Sequence, residues 1–258
     1  MSGEELEIID LNLENIDTEH ICCAIGNDKK NKERAKVKKA WLKERFPEGH
    51  TFKKFNVRGK VFIEFVPAEY AWFPIEAPGY MFIQCFWASG RYKGQGLGAK
   101  LLEECEKDSN DKNGIVAITS NKKRPFMVGK KYYLEKGFEV CDTANPFFEL
   151  VVKKYKKGAP TPHFTMKAKE ARMPGKTGLT FMYSDLCPYT ADWVDEMIEV
   201  AGKYDLPCEK IKIESLKQAK DLPVPWGIFS LFYNGEFLTY EVMTDKKFDK
   251  LLSETIDL

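Results

Sequence analysis

A glycine-rich stretch in the first half of the chain constrains the fold more than any other feature. It runs Gly90-Arg-Tyr-Lys-Gly-Gln-Gly-Leu-Gly-Ala-Lys-Leu-Leu102 and follows an apolar segment, Tyr80 to Ala88, that predicts a strand. Leu97, Leu101 and Leu102 fall on one face of the helix that this run opens. A glycine turn at a helix start gathers backbone N–H groups, and the helix dipole adds partial positive charge there. The stretch therefore predicts a site for a phosphate or pyrophosphate.

Two common phosphate loops do not fit this run. The spacing Gly94-x-Gly96-x-x-Ala99 matches a dinucleotide loop, but the next predicted strand, 114–119, is followed by Ser120-Asn-Lys122, with no acid to hold a ribose. The residues 98–101 also lack the Gly-Lys-Ser/Thr of a Walker loop. The sequence therefore favours a different phosphate-bearing ligand.

The full run resembles the acetyl-CoA signature of the GNAT family of N-acetyltransferases, Gln/Arg-x-x-Gly-x-Gly/Ala. One register starts at Arg91; the other places Lys93 in the Gln/Arg position and is preferred, because Tyr92 and the helix leucines then match as well. The resemblance implies acetyl-CoA as co-substrate, with a strand N–H group near the thioester carbonyl to stabilise its developing negative charge. The implied cofactor-binding residues are Phe86, Trp87, Ala88, Lys93, Gly94, Gln95, Gly96, Leu97 and Gly98.

A second segment with the same resemblance follows, Lys130-Lys-Tyr-Tyr-Leu-Glu-Lys-Gly-Phe138. It is similar to the family's Tyr-x-x-x-Gly-Phe and places Tyr133 four residues before Gly137. The resemblance implies that the amine attacks the thioester directly and that Tyr133 is the general acid that protonates the departing thiolate. The alternative is that Tyr133 only packs in the core beside Phe126.

A cationic amine must lose a proton before it attacks, so a carboxylate base is expected near the strand. Glu64, Glu69 and Glu76 precede the glycine run, and we favour Glu64 as the catalytic base. The segment Glu69-Tyr-Ala-Trp-Phe-Pro74 offers either an acceptor pocket, in which Trp72 contacts the amine, or ordinary core packing.

The order of predicted elements in residues 1–155 is strand, two helices, three strands, helix, strand, helix and two strands. The first two helices are predicted over 18–25 and 29–46, and the last over about 125–136. Residues 51–57 and 60–66 alternate like paired strands of a hairpin around Arg58-Gly59. The resemblance implies the same order: an α/β (α+β) protein with the GNAT fold and a mixed, mostly antiparallel central sheet. Residues 156–177, rich in Lys, Pro and Gly at their start, predict a linker.

Residues 178–258 restart the periodic pattern as β-α-β-α-β-β-α and resemble a smaller thioredoxin-like domain. Cys187-Pro-Tyr-Thr190 resembles the glutaredoxin Cys-Pro-Tyr-Cys, with Thr190 in the place of the resolving cysteine. Cys187 at a helix N-terminus is expected to have a lowered pKa, but a dithiol cycle is excluded. A degenerate domain for binding, dimerisation or shaping the acceptor site is favoured. The two halves together resemble the YoaP-type acetyltransferases of Gram-positive bacteria.

Composition argues against several classes of partner. Forty basic and 39 acidic residues give a net charge of +1, which predicts neither nucleic-acid nor membrane binding. Seven scattered cysteines predict reduced thiols in the cytoplasm, and no Cys/His cluster has the spacing of a metal site.

The sequence therefore predicts an acetyl-CoA-dependent N-acetyltransferase whose acceptor is a primary amine of a small molecule or peptide. Two alternatives stay open: a thiol-redox or sensor protein that works through Cys187, and a non-catalytic acyl-CoA-binding module. The sequence also leaves a homodimer open.

Overall fold

The computed structural model describes residues 6–21 and 23–255. The chain forms two compact units, and each combines separate stretches of sequence. Unit 1 takes its residues from 1–71, 75–143 and 147–163. Unit 2 takes its residues from 72–74, 144–146 and 164–258.

The strands of the first half of the chain are β1 (Ile8–Leu11), β2 (Thr51–Phe55), β3 (Val61–Pro67), β4 (Ile75–Glu76), β5 (Met81–Ala88), β6 (Gly114–Ser120), β7 (Glu139–Ala144) and β8 (Phe148–Lys154). All of these except β4 form a seven-stranded mixed sheet in the order β1-β2-β3-β5-β6-β8-β7. Strands β5 and β6 are parallel, whereas β1–β2, β2–β3, β3–β5 and β6–β8 are antiparallel pairs. The helices of this half are α1 (Lys29–Arg45), α2 (Leu97–Asp108) and α3 (Lys130–Glu135). The predicted mixed α/β class is confirmed.

The two faces of this sheet carry different residues. Ile63 and Phe65 of β3 pack with Leu101 of α2 in one apolar core. Because side chains alternate along a strand, Glu64 lies on the opposite face, where it meets Lys38 of α1. Helices α1 and α2 therefore cover opposite faces of β3.

Helix α1 begins where the sequence predicts. The Asp28 carboxylate caps it by accepting the Asn31 backbone N–H at 3.0 Å, and Lys43 and Arg45 suit the negative end of its dipole. A short helix predicted over 18–25 is absent from the described residues of that range. Turns occupy residues 13–18 instead, where the Asn12 side chain accepts backbone N–H groups.

The strands of the second half of the chain are β9 (His163–Phe164), β10 (Leu179–Tyr183), β11 (Cys208–Lys212), β12 (Phe229–Tyr233) and β13 (Glu236–Thr239). All of these except β9 form a four-stranded sheet in the order β11-β10-β12-β13. Strand β10 is parallel to β11 and antiparallel to β12, which is antiparallel to β13. The helices are α4 (Met166–Glu170), α5 (Thr190–Ala201), α6 (Leu216–Lys220) and α7 (Asp245–Thr255). Phe181, Val194, Leu231 and Phe248 form part of its apolar core.

Residues 72–74 belong to unit 2 although they lie far from its other residues in sequence. The Trp72 carbonyl lies close to Gly227: a Cβ built on Gly227 would be 1.8 Å from the Trp72 carbonyl oxygen. The Phe73 ring contacts the Trp226 ring edge-on, with centroids 5.7 Å apart. Trp72 and Phe73 are buried, so core packing is the role the structure gives to these two rings.

The segment 156–177, predicted as a linker, contains β9 and α4. The Thr165 hydroxyl accepts the Ala168 backbone N–H and caps α4. The segment is interrupted by Pro and Gly and shows no periodic pattern from which these short elements could be predicted. Among residues 6–21 and 23–255, no helix has both the length and the apolar composition needed to cross a bilayer.

Candidate active site

The central sheet opens between its two parallel strands. Strands β5 and β6 pair only from Met81–Ile115 to Ile83–Ala117. Beyond that point β5 continues along β3, and β6 continues along β8. The register between β3 and β5 shifts at Gln84, and such a bulge bends a strand. The carboxyl ends of β5 and β6 therefore border a wedge-shaped opening.

Backbone donors of β5 point into this opening. The Ser89 N–H donates to the Lys60 carbonyl at 3.1 Å, so this position bonds to the β3 side. Alternate residues of an antiparallel strand direct their N–H groups to opposite sides. Trp87 therefore faces β3 with its N–H, while the N–H groups of Phe86 and Ala88 face the opening. Two of the three strand residues predicted for the cofactor site thus offer main-chain donors there.

The glycine run adds further donors at the same edge of the sheet. Gly94 and Gly96 have φ values of 80° and 77°, a region in which glycine is strongly favoured. Gly96 precedes α2, and its carbonyl accepts the first helical N–H, from Lys100, at 3.2 Å. The amides of residues 97–99 lie before that bond, where a helix leaves its N–H groups without helical acceptors.

The space above these glycines suits a phosphate-bearing ligand. A Cβ built at Gly94 or Gly96 would meet no atom within 4 Å, so the backbone is open to close approach. Lys93 and Gln95 are exposed beside them, and the buried Leu97 anchors the helix start. Gly98 faces inward: a Cβ there would lie 3.6 Å from the Phe86 ring. The predicted cofactor-binding residues therefore lie together at one edge of the sheet.

Tyr133 lies inside the core that α2 covers. Its ring centroid is 5.1 Å from that of Phe138, and the side chain is 2% exposed. Burial raises the pKa of its hydroxyl well above the usual value, with smaller contributions from Tyr132, Cys105 and Cys85. The hydroxyl carries its proton at physiological pH, as an unshifted phenol also does, and the raised pKa makes it a weaker acid.

The neighbouring Tyr132 was not singled out by the sequence. Its ring contacts Phe86 with centroids 5.8 Å apart, and its hydroxyl is 3.7 Å from a Cβ built at Gly98. Burial raises its pKa to about 12. Tyr132 therefore places a phenol near the start of α2, and its ring centroid lies 5.9 Å from that of Tyr133.

Glu64, the predicted base, is paired with Lys38 at 2.5 Å, and both side chains are buried. Burial raises the pKa of the Glu64 carboxyl, and Lys38 opposes that rise. Glu64 lies directly opposite Cys85 in the β3–β5 register, next to the bulge.

The other two carboxylates predicted as candidate bases lie elsewhere. Glu69 accepts the Gly79 N–H at 2.7 Å, just before β5 begins and hence at the edge opposite the wedge. Glu76 is exposed and lies 3.6 Å from His163. No sequence signal could have identified Lys38 as the partner of Glu64, since it is one of many lysines in α1.

Three loops around the wedge carry only basic charges. The segments 56–60, 89–95 and 121–127 meet at this edge, because β3 runs antiparallel to β5 and β6 runs parallel to it. None of the three contains Asp or Glu. Their cations are Arg58, Lys60, Arg91, Lys93, Lys122, Lys123 and Arg124. This rim attracts an anionic ligand.

Cys187 lies just before α5 and is partly buried. Thr190, in the place of a resolving cysteine, donates its hydroxyl proton toward the carbonyls of Ser184 at 2.8 Å and Cys187 at 2.9 Å. Its side chain is thus used in backbone contacts at the helix start.

The chain is similar to known acetyltransferases. A family model described as YoaP-like matches residues 207–250. The chain is 36% identical over 247 residues to the uncharacterized N-acetyltransferase YoaP of Bacillus subtilis (strain 168), covering 95% of this chain and 98% of that protein.

The solved structures are less similar to this chain than the Bacillus protein is. The PaiA N-acetyltransferase from Thermoplasma acidophilum, in complex with coenzyme A, is 19% identical with a TM-score of 0.41, covering 59% of this chain and 100% of that one. YhbS from Escherichia coli, a GNAT family N-acetyltransferase in complex with CoA, is 14% identical with a TM-score of 0.39, covering 64% and 93%. These two overlaps add no support to the assignment. The match to the Bacillus protein is extensive and of sufficient identity to assign the family. The chain belongs to the YoaP-like family of N-acetyltransferases.

Proposed function

We propose that the chain transfers an acetyl group from acetyl-CoA directly to a primary amine of a small molecule or peptide. The observation that carries the proposal is the open glycine turn at the start of α2, beside the wedge between β5 and β6. The strand order and the parallel β5–β6 pair support a GNAT fold for the first half of the chain.

Different residues of the chain bind the cofactor and stabilise the developing charge. The N–H groups at the start of α2, with Lys93 beside them, bind the pyrophosphate. The N–H groups of Phe86 and Ala88 stabilise the charge that develops on the carbonyl oxygen. Holding both reactants in the wedge supplies much of the remaining rate gain.

The proton balance requires one base and one acid. A carbon–nitrogen bond forms and the carbon–sulfur bond breaks. The amine enters as a cation and gives its first proton to Glu64, whose raised pKa favours proton uptake. After the carbon–nitrogen bond has formed, the nitrogen loses its second proton to solvent. Tyr133 donates its proton to the departing thiolate, which leaves as the CoA thiol, and regains a proton from solvent.

For residues 178–258 we propose a thioredoxin-like fold without dithiol chemistry. The order β11-β10-β12-β13, with β10 and β11 parallel, supports this fold. The contacts of Thr190 with backbone carbonyls support a degenerate site at Cys187.

Calorimetry with acetyl-CoA, followed by thiol detection of released CoA over a panel of amines, tests the proposal. We expect binding of one acetyl-CoA per chain and amine-dependent thiol release. Folded protein that takes up neither CoA nor acetyl-CoA would overturn the proposal. Binding without amine-dependent release would favour the acyl-CoA-binding module. Loss of turnover in Cys187→Ser with intact binding would favour chemistry at that thiol.

A further inference from the structure

The wedge has two faces that offer different side chains. Phe86 and Ala88 pack against the core that contains α2. Trp87 lies between them, and side-chain alternation places it on the other face. If the cofactor reaches the wedge from the α2 side, as the proposed function requires, the acceptor reaches it from the face of Trp87.

Trp87 has an aromatic neighbour from the loop after β6. The ring of Phe126 meets that of Trp87 edge-on, with centroids 6.4 Å apart and planes at 62°. Phe126 is 48% exposed, so burial of its ring contributes little to the stability of the fold. Its φ of 60° is unfavourable for a bulky side chain and is found preferentially at functional sites. An exposed aromatic ring in a strained backbone beside the wedge is therefore better explained by a ligand than by core packing.

The charges on this face restrict the ligand further. Lys60 Nζ lies 6.0 Å from the centroid of the Trp87 ring. The loop that carries Phe126 contains Lys122, Lys123 and Arg124. The cofactor's phosphates offset part of the rim's charge, but an acceptor with several positive charges would still meet repulsion here. An acceptor with a carboxylate would be attracted.

We infer that the acceptor is an aromatic amino acid or a close analogue, whose ring docks on Trp87 and Phe126 and whose carboxylate faces the cations of the rim. This inference rests on the proposed function and specifies its substrate class. Trp87 then contacts the acceptor through its side chain, whereas the sequence assigns it to the cofactor.

The test compares three amines with saturating acetyl-CoA: L-phenylalanine, 2-phenylethylamine, which lacks the carboxylate, and spermidine, which is a polycation. We expect kcat/KM to be highest for L-phenylalanine and lowest for spermidine. Removal of the carboxylate should raise KM about tenfold, the effect of one charge-assisted contact.

Two substitutions probe the rings. Trp87→Ala and Phe126→Ala should each raise the KM for L-phenylalanine about tenfold, while the Kd for acetyl-CoA stays within about twofold. Trp87→Phe should restore most of the lost affinity. Tyr70→Ala is the matched control, because this ring is 42% exposed but follows β3 at the opposite edge of the sheet. Its KM values should equal those of the wild type.

Several outcomes would overturn the inference while leaving the proposed function intact. These are a preference for spermidine, equal effects of Phe126→Ala on all three amines, or acetyl-CoA binding with no turnover of any of the three. A KM change in Tyr70→Ala as large as that in Trp87→Ala would also overturn it. Failure to bind acetyl-CoA would instead overturn the proposed function itself.

Discussion

Lys38 of α1 and Glu64 of β3 form an ion pair at 2.5 Å whose side chains are 0% and 1% exposed. The Lys38 ammonium also lies 4.6 Å from the centroid of the Trp41 ring. Water cannot replace either partner at such a site, so removing one would leave a buried charge without its counter-ion.

We expect Lys38→Met to lower the free energy of unfolding by about 3–5 kcal/mol. The double variant Lys38→Met/Glu64→Leu should recover most of that loss, because it removes both charges. Lys36→Met is the control: its pair with Glu33 is exposed and should contribute less than about 1 kcal/mol. Urea unfolding followed by circular dichroism measures all three. A loss in Lys38→Met no larger than in Lys36→Met would contradict the expectation.

Stability should fall in mild acid because of His50. Burial lowers the pKa of His50 well below its usual value, and Lys38 and Arg45 lower it further. The folded chain keeps His50 neutral, whereas the unfolded chain binds a proton below about pH 6.5. The stability that His50 contributes is therefore complete above that pH and is lost as the pH falls toward the folded-state pKa, by about 1.4 kcal/mol per pH unit.

Replacing this histidine should reduce the pH dependence. His50→Phe retains a ring edge-on to Trp41, 5.0 Å from it in the wild type, and removes the titrating group. Urea midpoints measured from pH 8 to pH 5 should then fall less steeply than in the wild type. His163→Gln, at an exposed position, is the control. If the urea midpoint of His50→Phe falls with pH as steeply as that of the wild type, groups other than His50 cause the acid sensitivity.

Tyr133→Phe should lower kcat about 100-fold, the effect expected when a general acid is lost. The Kd for acetyl-CoA should stay close to that of the wild type, since the ring and its contact with Phe138 remain. Tyr132→Phe removes the adjacent hydroxyl and is the matched control. Steady-state kinetics and calorimetry separate the two effects. If Tyr132→Phe has the larger effect on kcat, the acid is Tyr132.

Gly96→Ala should weaken acetyl-CoA binding about tenfold. The new Cβ meets no atom, but alanine is strained at the φ of 77°, so the N–H groups at the start of α2 should shift. Gly129→Ala is the control, with open space and a φ of −66° before α3. Calorimetry measures both variants. Equal Kd values for Gly96→Ala and the wild type would remove the glycine turn from the binding site.

Gly227→Ala should destabilise unit 2 by about 1–3 kcal/mol, the usual range for overpacking. Its Cβ would be 1.8 Å from the Trp72 carbonyl oxygen, and a backbone atom cannot rotate away. Gly202→Ala has open space at the end of α5 and should be neutral or slightly stabilising. Thermal unfolding compares the two. A stable Gly227→Ala protein would show that residues 72–74 shift readily.

Much of the fold follows from local sequence. The β2–β3 hairpin around Arg58-Gly59 and the capped start of α1 depend on alternation and on neighbouring side chains. The glycine turn before α2 is equally local, so its spacing was sufficient to predict an anion site. Helix α3 is shorter than the predicted range of 125–136, because Phe126 adopts a left-handed conformation that a helix cannot include.

The rest of the site depends on contacts between distant segments. The pairing of Lys38 with Glu64 depends on which face of β3 meets α1, and this face cannot be predicted from the local sequence. The contact between Trp87 and Phe126 joins a strand to a loop that is 39 positions further along the numbering. Residues 72–74 belong to unit 2 through packing with Trp226 and Gly227, which no periodic pattern reveals.

The interleaved composition of unit 2 has a consequence for biosynthesis. Residues 72–74 leave the ribosome long before 164–258, which supply most of the unit. Until residues 226 and 227 have left the ribosome, Trp72 and Phe73 lack Trp226 and Gly227 as neighbours, and their apolar surface is open to water. A nascent chain stalled before residue 226 should therefore recruit chaperones through these rings, and release from chaperones should follow synthesis of the last strands.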